Sequence, residues 1–268
     1  MSGSESEVLT LCLLFFAYQV HPRYRLILGA NRDEFYHRPT EPAHFWESSP
    51  GILGGRDLEM LGTWMGITRS GRFSALTNFR DPSSQIENPK SRGQLVKDYL
   101  ESRESPEEYL AKVIETQSFY NPFNILVGDL RNLMYFSNQS PEVRDLKPGF
   151  YALSNHFLDT PWPKVRKSKQ ALFAYLEGNQ DRLIDSRVIF EILADTEQAY
   201  DHELPSTGIG YPREKMLSSI FIRGTDYGTR SSTVLCLDRE NTLLFQERTF
   251  RGDHKFWDEV SYSFKLID

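Results

Sequence analysis

A chain of 268 residues, 39% hydrophobic and 13% aromatic, holds enough apolar material for a sizeable core, which excludes a disordered protein. Its formal charge of -6 and the lack of a long Lys/Arg run exclude a phosphate-tracking surface, so no nucleic-acid partner is expected. Two cysteines, Cys12 and Cys236, are too few for a disulfide framework and fit a reducing compartment.

In chain order, Val8 to Tyr18 has the apolar character of a signal-peptide core, but Met1 to Glu7 carries two glutamates and no Lys or Arg, unlike a secretory leader. The segment is also too short to span a bilayer as a helix, and a cytoplasmic location without a membrane span is expected. Leu11 to Tyr18 and Arg25 to Ala30, separated by the turn His21-Pro22, predict a hairpin buried on both faces. Gly62 to Thr68 and Arg72 to Phe79 predict a second hairpin around Arg69-Ser70-Gly71. The period then becomes helical over Gln94 to Ser102 and over Pro106 to Thr116, the latter opened by the cap pair Ser105-Pro106. Strand character returns at Asn124 to Gly128, Leu133 to Ser137 and Gly149 to Ser154. Lys164 to Leu176 and Arg182 to Leu193 read as amphipathic helices, and Thr229 to Asp238, Thr242 to Thr249 and Phe256 to Phe264 as closing strands. Helix pairs between groups of hairpin-linked strands predict an α+β layered fold with an antiparallel core, and no linker or repeat divides it.

Common catalytic signatures are absent: no Gly-rich phosphate loop, HExxH, CxxC or GxSxG, and the six histidines are scattered, so neither a metal nor an external cofactor is expected. Cys12 and polar residues at strand ends remain. A thiol works as a nucleophile only when a base or a positive charge favours the thiolate, and acyl transfer also needs oxyanion donors. Arg32, Asn78, Asn155 and Arg230 are of the right type to supply them. Equally, a cysteine in an apolar strand is commonly a small buried hydrophobe, and Asn78 and Asn155, each after "AL-(Thr/Ser)", have the look of turn punctuation. Trp46, Trp64 and Trp162 read as core plugs or, as with Phe16, as pocket walls.

The stretches "CLLFFAYQVHPRYRLILGANRDEF", "GGRDLEMLGTWMGITRSGRFSALTNFR", "YALSNHFLDTPWPKV" and "GTRSSTVLCLD" together resemble the NRDE-motif family, the bacterial relatives of transport and Golgi organisation protein 2. The resemblance runs from Leu11 onward and implies similarity to cysteine-type N-terminal-nucleophile hydrolases, with a four-layer αββα sandwich. It implies Cys12 as nucleophile, Asp33 (or, one residue on, Glu34) as the carboxylate that holds the cysteine's amine, and Asn78 and Asn155 as oxyanion residues. For substrate contacts it leaves Arg32, Trp64 and Arg230, with Arg166 a further candidate for the basic residue. In such hydrolases the cysteine opens the mature chain, whereas eleven residues precede Cys12. Residues 1–11 are therefore expected to be an extension or a misassigned start, and 12–268 a single domain. The implied function is cleavage of a non-peptide amide bond in a small amide or acyl substrate. The alternative is a non-catalytic binding or trafficking module for an acyl, lipid or haem-like ligand.

Overall fold

The structure is a computed structural model that describes residues 11–251 and 256–267. Apart from Leu11, the expected extension lies outside the described residues. The chain clusters into two compact units, one of 11–37, 147–154 and 158–265, the other of 38–146, 155–157 and 266–267. The expected α+β class with antiparallel sheets holds, each unit being one antiparallel sheet with its own helices.

In the first unit, β1 (Leu11–Tyr18), β2 (Tyr24–Phe35), β10 (Gly149–Leu153), β11 (Tyr227–Asp238), β12 (Thr242–Arg251) and β13 (Phe256–Lys265) form a six-stranded sheet in the order β10-β1-β2-β11-β12-β13. Helices α3 (Pro163–Glu177) and α4 (Ser186–Leu193) cover one face. On β1 the alternate residues Leu13, Phe15 and Ala17 join Val165 and Leu172 of α3 and Ile189 and Phe190 of α4 in one core. Cys12, Leu14 and Phe16, on the opposite side of the strand, are buried as well. That is why the segment reads as a continuous apolar run rather than an alternating one. α4 starts at Ser186, later than its pattern predicts, because Asp185 accepts the Arg187 main-chain N–H at 3.0 Å and caps the helix there.

In the second unit, β3 (Thr40–Trp46), β4 (Ser49–Asp57), β5 (Met65–Thr68), β6 (Phe73–Asn78), β7 (Phe123–Gly128), β8 (Leu133–Ser137) and β9 (Arg144–Asp145) lie side by side in chain order. Helices α1 (Arg92–Glu101) and α2 (Pro106–Thr116) pack on this sheet through Leu95, Val96 and Tyr99 of α1 and Tyr109, Leu110 and Val113 of α2. The cap read at Ser105 is a full capping box with Glu108.

Three further departures from the sequence reading have clear causes. β3 and β4 give no strand signal in the sequence because Pro42, Pro50, Gly51, Gly54 and Gly55 interrupt the pattern. β3 is an edge strand whose register shifts between Glu41 and His44, where Pro42 removes no ladder bond. β2 extends past Ala30 to Phe35, so the polar run Asn31-Arg32-Asp33-Glu34 lies inside a central strand instead of after it. The short helix α5 (Tyr211–Met216), entered from Gly210 at φ 86°, carried no periodic signal.

Gly29 lies opposite Phe15 in the β1–β2 pair, and a Cβ there would meet the Phe15 ring at 2.5 Å and Ile189 at 2.9 Å. Gly29→Ala is therefore expected to overpack this core and cost about 1–3 kcal/mol, read as a lower urea midpoint at unchanged m-value.

Candidate active site

Strand alternation sorts the polar run of β2 onto two faces. Cys12 pairs with Arg32, Leu11 with Asp33, and Leu13 with Asn31. On the other side of β2, Ser232 pairs with Asn31, Ser231 with Arg32 and Thr229 with Asp33, the register shifting between Thr229 and Ser231. Arg230 is the extra residue of this bulge. Opposite residues of an antiparallel pair share a face, so Asn31 and Asp33 point to the helix-covered side and Arg32 and Glu34 to the side of Cys12.

Asn31 donates to the main-chain oxygens of Leu193 and Ile220, both at 2.9 Å, and accepts from Ser232 Oγ at 2.6 Å. It ties the segments after α4 and α5 to the sheet. Asp33 has no exposed surface. Its Oδ1 accepts from Thr229 Oγ1 at 2.6 Å, and that hydroxyl accepts the Ile222 N–H at 2.9 Å. Its Oδ2 is buried without a hydrogen-bond partner among the described residues. Burial pushes the carboxyl up to about 6, against the lowering effect of Lys164, the Thr229 hydrogen bond and Arg32. Lys164 is itself buried in the first turn of α3.

The Cys12 thiol is pushed up to about 12, first by burial and then by the charge of Asp33; Arg32 and a backbone hydrogen bond from Asp33 pull the other way. A thiol in that state is protonated at neutral pH and a poor nucleophile. The Cys12 carbonyl accepts from Ser154 Oγ at 3.1 Å, which fixes the strand next to β10. Arg32 and Glu34 face each other at 3.6 Å, both nearly inaccessible, and Glu34 Oε1 also accepts the Phe35 N–H at 2.8 Å. Between the two carboxylates allowed by the motif, Asp33 is the one opposite residue 11.

The remaining basic candidates separate on the same grounds. Arg230 Nη1 donates to the carbonyls of Phe35 (2.7 Å) and Tyr36 (3.2 Å), holding the chain where it leaves β2. Arg166 is in a 2.5 Å ion pair with Glu203 on the solvent side of α3. Only Arg32 of the three lies in register with Cys12.

Within the second unit, the two asparagines form a pair. Asn155 Nδ2 donates to the Asn78 main-chain oxygen at 2.9 Å, and the Asn155 carbonyl accepts the Arg80 N–H at 2.8 Å. These contacts join residues far apart in the chain, so Asn155 is not local turn punctuation. Asn78 Nδ2 is buried and has no acceptor among the described residues. A neighbouring lattice was not anticipated from the sequence: Asn124 donates to Thr77 Oγ1 (3.1 Å) and to the His156 carbonyl (3.0 Å), and accepts from Tyr135 OH (2.8 Å). Its signal was a polar residue at the head of the apolar strand "NILVG". Trp64 is half-buried with its ring across Gly55, where a Cβ would approach it to 2.3 Å. Trp46 is a fully buried core residue, and Phe16, fully buried in the first unit, stacks on Tyr151 at 5.3 Å.

Among the described residues no group of three or more His, Cys, Asp and Glu is placed to hold a metal ion, and no helix is long and apolar enough to cross a membrane.

Comparison with known proteins places these features in context. A family model described as Transport and Golgi organisation 2 matches residues 11–252. The Transport and Golgi organization protein 2 homolog of Bos taurus is 36% identical over 275 residues, covering 96% of this chain and 99% of that protein. The Mus musculus homolog is 35% identical over 277 residues with the same coverage. Among solved structures, the Caenorhabditis elegans ortholog of N-acylethanolamine-hydrolyzing acid amidase superposes with a TM-score of 0.47 at 14% identity, covering 84% of this chain and 92% of that one.

The raised carboxyl of Asp33 makes stability depend on pH. Native Asp33 keeps its proton up to about 6, whereas the unfolded chain releases it near 3.8. Between those values the native state binds more protons than the unfolded one, so stability falls as pH rises, by up to about 3 kcal/mol above pH 6. Asp33→Asn lacks this titration. Urea unfolding of both proteins across that pH range is expected to show the wild type losing stability relative to the variant; parallel curves would mean that Asp33 is not buried as a charge.

Proposed function

The chain belongs to the Transport and Golgi organisation 2 family, and we propose that it is an amidohydrolase cleaving a carbon–nitrogen bond other than a peptide bond, with Cys12 as nucleophile and the free α-amine of Cys12 as its base. The observation that carries this reading is Asp33, fully buried, bonded among the described residues through one carboxylate oxygen and not the other, and paired in register with the residue just before Cys12. A buried, unpartnered carboxylate oxygen is costly. A cationic amine at Cys12, present once residue 11 is removed, suits that position: the charge-assisted bond is worth roughly 1.5–3 kcal/mol, which an amide N–H does not match. The same cation would oppose the effect of the Asp33 charge on the thiol.

In the proposed reaction the neutral form of the amine takes the thiol proton, becoming the ammonium that Asp33 holds, and Sγ bonds to the amide carbon, the carbonyl π pair moving to oxygen. The oxyanion then re-forms the carbonyl, the C–N bond breaks, and the ammonium passes its proton to the departing amine, leaving a thioester. Water, deprotonated by the same amine, adds to the thioester and expels the thiolate, which recovers that proton as the carboxylic acid leaves. Asn78, whose Nδ2 has no acceptor among the described residues, is the proposed oxyanion donor, and Asn155 the residue that positions it. Arg32 and Trp64 are the proposed substrate contacts. Arg230 is reassigned to positioning, because its guanidinium already holds two main-chain oxygens.

The test is a chain whose first residue is Cys12, assayed against a library of acyl amides. Turnover is expected, abolished in Cys12→Ala and slower by roughly 10²–10⁴-fold when Leu11 is retained. Asn78→Ala is expected to lower kcat by about 10²–10³-fold. Undiminished turnover from a verified, untrimmed Met1 chain would remove the amine from the mechanism. Saturable binding of an apolar ligand without turnover by the Cys12-initiated chain would establish the binding-module alternative instead.

A further inference from the structure

A sheet edge presents unpaired main-chain N–H and C=O groups, and proteins blunt such edges with short strands, prolines, bulges or lysines along the strand. β13, last in the order of its sheet, has only the exposed Asp258 and Glu259 near one end and a terminal lysine to protect it. It is ten residues long, contains no proline, and carries its only lysine at the final position. It pairs with β12 from Arg251↔Phe256 to Thr242↔Lys265 with no register shift, and among the described residues no strand pairs its outer side. Phe256 is 76% exposed and Trp257 48%. From Val260 onward burial alternates, with Val260, Tyr262 and Phe264 half-buried on one face and Ser261, Ser263 and Lys265 exposed on the other.

The composition of this edge is complementary to itself. When two copies of a strand pair antiparallel about a two-fold axis normal to the sheet, opposite residues must share a face, so the axis passes through a residue position and pairs are set symmetrically around it. With Tyr262 on the axis, Glu259 lies opposite Lys265, Val260 opposite Phe264, and Ser261 opposite Ser263. With Ser261 on the axis, Lys265 meets Trp257; with Ser263 there, it meets Ser261. Only the Tyr262 register of the three matches charge with charge and apolar with apolar. The neighbouring strand extends the match. Glu259 accepts from Arg248 Nε at 2.8 Å, so the exposed face would carry Arg248, Glu259 and the second copy's Lys265 in a row of alternating charge. On the other face Tyr262 would lie against its own image with Phe245 behind each.

We infer that β13 is the dimerisation edge of this protein: two copies pair antiparallel about Tyr262 and continue one six-stranded sheet into the other. This does not depend on the chemistry at Cys12.

Light scattering on the full chain, at tens of micromolar, is expected to give twice the 31.1 kDa chain mass. Lys265→Glu sets like charges opposite each other twice, and is expected to weaken the dimer roughly tenfold or more. Tyr262→Cys brings two thiols onto one directly opposed pair, with Cα atoms about 4.5–5.5 Å apart, within disulfide reach. Mild oxidation should cross-link that variant into a covalent dimer, while Ser261→Cys alone should stay uncross-linked until mixed with Ser263→Cys. The native Cys12 and Cys236 are buried and do not compete. A monomeric wild-type chain, or a dimer that lacks either the charge response or the Tyr262 cross-link, overturns the inference.

Discussion

Desolvation of the Asp33 carboxylate, inside a three-strand antiparallel register, is the constraint around which the buried polar groups of the first unit are arranged. Fully buried, the group bonds to Thr229, and Thr229 can serve it only because the bulge at Arg230 brings that hydroxyl onto the same face. Thr229 in turn binds the Ile222 N–H, so the orientation of the carboxylate is linked to the segment after α5. The thiol of Cys12 responds to the same charge from the opposite face of the sheet. One buried ion thus couples the start of β1, the end of β2, the bulge and a distant loop. A change at any of them alters the electrostatics of the others.

The second unit handles burial of polar groups differently. Its asparagines are neutral, and Asn124 satisfies both its amide and its carbonyl within a lattice of Thr77, Tyr135 and the His156 main chain. Such a lattice fixes backbone without perturbing any proton equilibrium, whereas an unpaired charge in the same surroundings would incur the full desolvation penalty. The lone Asn78 Nδ2 is conspicuous against that background.

Much of the fold was legible because its signals were local. The continuous run Leu11 to Tyr18, the capping box at Ser105, the turn at Gly71 and the amphipathic spacing of α3 each depend on a few neighbouring residues. What escaped was decided by contacts remote in sequence. Asn31-Arg32-Asp33-Glu34 looks like the end of a strand until Ser232 and Thr229, about 200 residues later, satisfy it within β2. β3 and β4 are strands because an edge tolerates Pro42 and because Gly54 and Gly55 admit a close backbone and the Trp64 ring. The candidate residues, Asn78 and Asn155 among them, were named from residue types and family motifs; the bond between those two asparagines was not. Which carboxylate lies opposite residue 11, and which arginine shares a face with Cys12, required the register.

The order of strands in the first sheet has a consequence for synthesis. β1 and β2 are made first and pair as a hairpin, but the other side of β2 belongs to β11, which begins 192 residues after β2 ends, at Tyr227. At roughly 5–20 residues per second, that side waits on the order of ten seconds or more on the ribosome without its partner. The seven strands of the second unit need no such delay, each pairing with the strand just before it. A nascent β2 that was apolar throughout would offer an aggregation template for all that time; Asn31 and Asp33 interrupt it. Polar residues in such positions are the usual gatekeepers of unavoidable hydrophobic strands, and Asn31 and Asp33 stand on the stretch of β2 that β11 later pairs.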